Sequence, residues 1–418
     1  MTLPEDFKNQ MEQLLGNDSD AFLSAMTDTP SVSIKLNRRK TNDPAIIGYG
    51  ELEPVKWCSN GYYLPVRPKF TLNPLLHAGV FYVQDASSMI YEAIAEKVVP
   101  SALDTGAPLR VLDLCAAPGG KTTSIINALP DGSVVVANEF IASRAQILRE
   151  NLIKWGYPDI IVTNSPTSVF ARMGEVFDIV AVDAPCSGEG MMRKEDVAVT
   201  QWNAGLQKQC ASLQKDILSD AFEALKPGGF LIYSTCTFNR LENEENLKWL
   251  AEEKGLIPVD MEFPEEWELL HGIDTAYPCY RFMPHKTRGE GLFVAVLRKE
   301  GDYPRAQTLT EASFHKTVKA NARVIAEGIP LTTVKGKDAV PTSESVLATD
   351  FNRDSLPSIE VDESTALSYL RHEALRFGND IGKGFVVINY KGFPLGLVKN
   401  IGNRANNLYP SQWRIKFL

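Results

Sequence analysis

Three stretches of this chain end apolar runs in residues equipped for chemistry. FDIVAVDAPCSGEG sets Asp183 and Cys186 just past one run, FLIYSTCTFN sets Cys236 just past another, and LRVLDLCAAPGGKTT passes from a third into a turn of small residues. An ionised thiol is a covalent nucleophile and a carboxyl can give or take a proton, so the three would act together if brought into one crevice. In the turn, Ala116, Ala117, Gly119 and Gly120 offer almost no side chain. A ligand can therefore approach the backbone amides at the start of the next helix. A single free cysteine is more often a small buried hydrophobe than a nucleophile. It is the joint placement of Cys186 and Cys236 beside an acid and a ligand turn that points to function.

The ligand can be narrowed. Gly120, Lys121 and Thr122 reproduce the end of the phosphate-binding pattern G-x-x-x-x-G-K-[ST], but the glycine it requires at position 115 is Cys115, which excludes a nucleotide hydrolase. The dinucleotide pattern G-x-G-x-x-G is also absent. Glu139 nevertheless ends the apolar run SVVVANE, at about the distance at which such sites hold a ribose hydroxyl. A strand, a tight turn, a helix and a second strand closing on a carboxylate suit an adenosyl ligand without pyrophosphate.

These groups need a scaffold, and the pattern supplies one. Apolar runs at 109–114, 133–138, 159–163, 178–182 and 230–234 alternate with helical stretches such as 141–155 and 210–225. That alternation predicts an α/β fold, a parallel sheet with helices on both faces, whose ligands gather beyond the carboxyl ends of the strands. LFVAVLRK at 292–299 is expected as an antiparallel edge strand closing the core. Upstream, 4–27 reads as one amphipathic helix, and SVSIKLNRRK as a strand ending in Arg38, Arg39 and Lys40. That cluster is a candidate RNA contact or a solvated strand end. The aromatics between 50 and 86 read as packing residues. Residues 300–362 are polar and read as a connecting segment, with a helix possible over 311–326. From 363 a helix and two strands around Lys391, Gly392 and Phe393 form a small mixed domain. The expected division is therefore 1–105, 106–299, 300–362 and 363–418.

Composition sets limits. At 418 residues, 44% hydrophobic and 23% charged, the chain is of ordinary globular make-up. It has no apolar run of membrane-spanning length, and it opens MTLPEDFKNQ without a signal-peptide pattern, so a cytoplasmic protein is expected. Its six cysteines include no C-x-x-C pair, so neither a zinc ribbon nor a redox pair is expected, and no metal. Cys58, Cys210 and Cys279 have no chemical company and read as structural. Cys115 reads as a packing residue of the turn. The net charge of −9 is unevenly spread: 242–270 holds ten acids against two lysines, whereas 381–418 holds six basic residues and no acid. The tail would thus present a positive face on an acidic protein.

The set VLDLCAAPGGKTT, DAPCSGEGMMRK, YSTCTFNRLENEE and RFMPHKTRGEGLFVA, preceded by GVFYVQDASSM, resembles the RNA cytosine-5 methyltransferases of the NOL1/NOP2/Sun family. The tail resembles the bacterial, RsmF-like members that act on small-subunit ribosomal RNA. The resemblance implies a Rossmann-like class I S-adenosylmethionine-dependent core, an N-terminal α+β extension and a C-terminal PUA-like RNA-binding domain. It implies that Cys236 attacks carbon 6 of cytosine, that Cys186 serves product release, and that Asp183 meets N3 while lining the cofactor pocket. Cys115, Ala116, Ala117, Pro118, Gly119, Gly120 and Lys121 become the S-adenosylmethionine loop, with Lys121 near the methionine carboxylate and Glu139 on the ribose. Where the family offers an aspartate near adenine this chain has TNSPTS, leaving Asn164 to reach the base. Arg193, Lys194, Arg281 and His285 are expected to meet phosphates or the flipped nucleotide. The implied partner is ribosomal RNA or the small ribosomal subunit, bound by a monomer without a membrane or metal. The competing readings are the same reaction on transfer RNA and a catalytically silent ribosome-assembly factor.

Overall fold

In the computed structural model, which describes residues 2–102, 108–301, 309–335, 338–378 and 381–416, the chain is built around one large mixed sheet. Its centre is parallel: β1 (Arg110–Asp113), β2 (Val134–Asn138), β3 (Ile160–Thr163), β4 (Phe177–Asp183) and β5 (Leu225–Thr235). They lie in the order β5-β4-β1-β2-β3, so the winding reverses at β1 and opens a crevice beyond the strand ends there. β1 is apolar on both faces because each face meets a core. Leu109 and Val111 enter one cluster, Leu112 and Leu114 the other. The helices Gly120–Ala128 and Ala142–Trp155 pack Ile125, Ile126, Leu148 and Leu152 into the first cluster. Ala204–Ala224 packs Ile217, Leu218 and Ala221 into the second. The α/β alternation expected from the sequence is the observed fold.

The edges of the sheet differ from expectation. β6 (Leu292–Lys299) is antiparallel to β5, from Phe293 opposite Thr235 to Arg298 opposite Phe230, but it is not an edge. Its far side pairs with Tyr280–Phe282 and Leu256–Pro258, strands too short to show an alternation in the sequence. At the other end β7 (Val324–Glu327) runs antiparallel to β3, and the helix Glu311–Asn321 buries Phe314 and Val318 in the core. The described part of the expected connecting segment therefore begins as an extension of the core domain. The expected boundary between 105 and 106 lies outside the described residues.

The N-terminal extension is α+β. Its expected single helix is two, Glu5–Leu15 and Ser19–Ala25, because Gly16 takes φ 54° and ends the first. Val32–Leu36, Glu53–Val55, Cys58–Leu64 and Phe81–Val83 form an antiparallel sheet. The basic cluster at the end of its first strand is engaged by partners within the protein, although Arg38 stays partly open to solvent. Arg38 pairs with Glu92 at 3.1 Å, Arg39 pairs with Asp131 at 2.7 Å, and Lys40 Nζ donates to Ala78 O at 2.7 Å and Lys154 O at 2.9 Å. Burial pushes Lys40 down to about 7. The cluster fastens the extension to the core domain.

The C-terminal unit starts before the expected position 363, since Ser358–Glu360 pairs in parallel with the strand Gly384–Tyr390. That strand turns at Lys391 and Gly392 into Phe393–Asn400. The unit does not hang free: Trp413 and Ile415 are buried in the first core cluster, and Tyr409 Oη lies 3.3 Å from His77 Nδ1. Lys383, Lys391, Lys399, Arg404, Arg414 and Lys416 are all exposed. Among the described residues no helix is long and apolar enough to cross a membrane.

Candidate functional site

β4 and β5 are parallel neighbours in a register that sets Asp183 beside Ser234, so their loops leave the sheet together. This brings the Cys186 and Cys236 sulfurs within 3.2 Å. Gly190 permits the approach: its N–H donates to Cys236 O at 2.9 Å, and a Cβ there would stand 2.6 Å from Glu290 O. The Cys186 thiol is held well above the usual range, first by its hydrogen bond to Cys236, then by burial and by Glu242. Burial pushes Cys58 and Cys279 up to about 12, which keeps them inert thiols.

Asp183 faces the same crevice with two donors on it. Oδ2 accepts from Lys121 Nζ at 2.8 Å and Oδ1 from Ser234 Oγ at 2.7 Å, and Ser234 Oγ lies 2.8 Å from Tyr91 Oη. Burial alone would depress the Lys121 ammonium, but Asp183, with Cys236 nearby, raises it above the ordinary lysine value. The sequence placed Lys121 toward a methionine carboxylate. The structure pairs its ammonium with Asp183, because the first turn of the helix Gly120–Ala128 lies opposite the end of β4.

The turn 115–121 is tied down by its carbonyls. Ala117 O accepts from Arg144 at 2.9 Å, and Pro118 O from Tyr82 Oη at 3.0 Å and Asn151 Nδ2 at 2.8 Å. Gly120 O accepts from Lys35 Nζ at 3.2 Å. Gly119, at φ 111°, turns the chain into the helix Gly120–Ala128, whose N-terminus has no side-chain cap. Its first amides remain available to a ligand, and the dipole there favours a negative group. Glu139, 4% exposed at the end of β2, accepts from Ile141 N at 2.8 Å and lies 3.3 Å from Arg144. Asn164 Nδ2 donates to Glu139 O and Phe140 O, both at 2.8 Å, so its amide group joins the tips of β2 and β3 and leaves Oδ1 toward Arg323. Uncapped amides, small residues and a buried carboxylate form a donor and acceptor set that fits an adenosyl amino acid. Among the described residues no cluster of His, Cys, Asp or Glu is arranged to hold a metal ion.

Sequence reasoning missed the supports of this site. Lys35, Tyr82, Asn151, Tyr91 and Ser234 all act on it, and only Lys35 left a signal, as a charged residue inside the alternation of VSIKL. It is fully buried, and burial pushes it down to about 8.

Three of the four expected RNA contacts are corrected. Arg281 is 1% exposed and donates to Glu244 at 2.7 and 2.6 Å and to Phe238 O at 2.7 Å. The His285 side chain is 2% exposed and lies edge-on to Phe22, 5.8 Å between centroids, beneath the N-terminal helices. Arg193 is turned inward, donating to Gly289 O at 2.9 Å. Arg281 and Arg193 meet internal acceptors that the local sequence does not reveal, whereas His285 is covered by Phe22 with neither ring nitrogen hydrogen-bonded. Lys194 alone is partly exposed, 3.2 Å from Glu290.

Known proteins resemble this chain over almost its whole length. A family model described as 16S rRNA methyltransferase RsmB/F matches residues 101–298. Models of the N-terminal domain of 16S rRNA methyltransferase RsmF and of the methyltransferase RsmF PUA domain match 3–86 and 356–415. The ribosomal RNA small subunit methyltransferase F of Enterobacter sp. (strain 638) is 31% identical over 98% of this chain and 95% of its own. That of Pectobacterium atrosepticum is 37% identical over 72% of this chain and 64% of its own. A methyltransferase homolog from Pyrococcus horikoshii superposes with a TM-score of 0.58 at 26% identity, covering 71% of this chain and 95% of that one. NSun6 from Pyrococcus horikoshii, solved with SFG, shares the fold at a TM-score of 0.60 and 20% identity, covering 72% and 99%. The chain belongs to the RsmB/F family of 16S rRNA methyltransferases and carries that family's PUA domain.

Proposed function

We propose that this protein methylates carbon 5 of a cytosine in 16S ribosomal RNA, with S-adenosylmethionine as donor, through a transient bond between Cys236 and carbon 6. The observation that carries this reading is the pair of sulfurs 3.2 Å apart beside the Lys121–Asp183 pair. Carbon 5 of cytosine is a poor nucleophile. Addition of a thiolate at carbon 6, with a proton delivered to N3, makes it an enamine able to take a methyl group. The backbone of residues 115–121 and the Glu139 carboxylate would hold S-adenosylmethionine, which would supply that methyl group as an electrophile and leave as S-adenosylhomocysteine.

The chain's own groups divide the remaining work. The two sulfurs share one hydrogen bond and the Cys186 thiol is held well above its usual range, so Cys236 is the attacking sulfur in this reading. Both Asp183 oxygens accept hydrogen bonds, so the proton for N3 comes from the Lys121–Asp183 pair rather than from a lone carboxyl. Once Cys236 is bonded to the base, the hydrogen bond that chiefly raises Cys186 is gone. Cys186 then loses its proton to solvent and, as a thiolate, takes the proton on carbon 5; the pair of that C–H bond re-forms the double bond between carbons 5 and 6, and the Cys236 sulfur leaves as a thiolate.

A paired or stacked cytosine must be extruded to reach this crevice. The exposed basic residues of the C-terminal unit, with Lys194 beside the loop that carries Cys186, are the phosphate contacts in this reading. An RNA substrate in the ribosome places the reaction in the cytoplasm. The test uses purified full-length protein, labelled methyl donor, and 16S RNA, small subunits or transfer RNA, followed by hydrolysis to nucleosides. Label in 5-methylcytidine from 16S RNA or small subunits is expected. Label in another nucleoside would overturn the chemistry, and label confined to transfer RNA would overturn the substrate.

A further inference from the structure

Cys186 and Cys236 ride on separate loops, and neither backbone by itself fixes the distance between their sulfurs. Two buried carboxylates couple the loops, each rooted in one and reaching into the other. Glu189, just beyond Cys186, accepts through Oε2 from the amides of Phe238 at 2.6 Å and Asn239 at 3.0 Å, just beyond Cys236. Glu242, which follows on the Cys236 side, accepts through Oε2 from the amide of Ser187 at 3.0 Å, the residue after Cys186. Both are 0% exposed. Their other donors are neutral side chains. Trp202 Nε1 and Gln207 Nε2 reach Glu189 Oε1 at 3.0 and 2.7 Å, while Gln214 Nε2 and Asn239 Nδ2 reach Glu242 at 2.8 and 2.7 Å.

Burying two carboxylates near each other without a cation carries a desolvation cost that a plain loop staple would avoid. What a carboxylate alone offers is acceptor capacity on both oxygens, so one side chain can hold donors from two loops. Each of these four oxygens receives at least one hydrogen bond, and an amide at either position would turn an N–H toward a donor.

We propose that Glu189 and Glu242 are reciprocal positioning residues that lock the two thiol loops in register, so that attack by Cys236 and release through Cys186 proceed without loop motion. The proposal rests on the reading of the two thiols given above.

The test compares full-length wild type with Glu189→Gln, Glu242→Gln and Glu242→Asp, the last keeping an acceptor one methylene short. Phe314→Leu, remote from the loops, serves as a control for destabilisation. Two readouts are taken: steady-state methylation of RNA, and the rate at which diamide converts the two thiols to a disulfide. In that oxidation the sulfurs lose two protons and two electrons to the azo bond, which becomes a hydrazine, and the Cys186–Cys236 link is read by peptide mass. Both Gln variants are expected to lose at least ~10-fold in kcat with both KM values within ~2-fold, and to oxidise at least ~10-fold more slowly. Glu242→Asp should fall between, and Phe314→Leu should keep both rates even where its urea midpoint drops. Wild-type oxidation rates in the Gln variants, or slow oxidation with wild-type kcat, would overturn the proposal. Wild type that forms no 5-methylcytidine would instead remove the reading of the thiols, while the oxidation rates still decide the clamp.

Discussion

Replacing Arg281 by alanine separates a structural arginine from an RNA contact. Its guanidinium donates to both Glu244 oxygens at 2.7 and 2.6 Å and to Phe238 O at 2.7 Å, with 1% exposure. Truncation removes three charge-assisted hydrogen bonds, each contributing about 1.5–3 kcal/mol. It also leaves Glu244 buried, with the amide of Ile273 at 3.0 Å as a remaining donor. That amide and water entering the void offset part of the loss. We therefore expect a net destabilisation of about 3–5 kcal/mol, the range for breaking a buried ion pair from one side. Urea unfolding followed by tryptophan fluorescence measures it. RNA binding of the native fraction, titrated at several salt concentrations, should keep its wild-type salt slope. Arg281→Met combined with Glu244→Leu should regain most of the stability, since no charge is then stranded. An unchanged urea midpoint, with RNA binding weakened and its salt slope reduced by about 1, is the signature of a phosphate contact and would refute the burial argument.

Other consequences are equally direct. Lys121→Met should lower kcat by roughly 100-fold or more while leaving donor affinity within a few-fold, as expected for a group that works through Asp183; isothermal titration with the donor and single-turnover rates check this. Changing Lys383, Lys399 and Arg404 together to Gln should weaken RNA binding and reduce its logarithmic salt slope by about 2, given ~0.7 per phosphate contact on single strands. Removing the whole C-terminal unit is a poorer test, because it would strip Trp413 and Ile415 from the core. Asp113, buried and pushed up to about 7, makes stability depend on pH. The native state holds its proton between about 3.8 and 7 while the unfolded chain has released it, so stability is greatest below that window and falls as pH rises through it. The stability difference between wild type and Asp113→Asn should therefore fall by a few kcal/mol from pH 4 to pH 7.5; a flat difference in urea midpoints would contradict it.

The parallel core and the residues at its strand ends were legible because they rest on local patterns. β1 to β5 are apolar runs long enough to show themselves, and Asp183, Cys186 and Cys236 follow such runs directly. What escaped was set by contacts distant in sequence. Tyr280–Phe282 is three residues long and carries no periodicity, yet it covers β6 and makes it an interior strand. Arg38, Arg39 and Lys40 read as a positive patch until Glu92, Asp131 and two carbonyls meet them. Lys121 went to Asp183 because the crevice holds a carboxylate at hydrogen-bond distance, something its own motif could not disclose. The acidic excess over 242–270 likewise hid Glu242 and Glu244, two buried acceptors among solvated ones.

The division of labour between the two thiols is the central claim, and trapping tests it most directly. Full-length Cys186→Ala and Cys236→Ala are incubated with methyl donor and 16S RNA or small subunits, and run on denaturing gels. Cys186→Ala should accumulate a covalent complex of protein and RNA, because Cys236 attacks and cannot leave. Cys236→Ala should form none. A complex that accumulates in Cys236→Ala and is absent from Cys186→Ala would contradict the assignment.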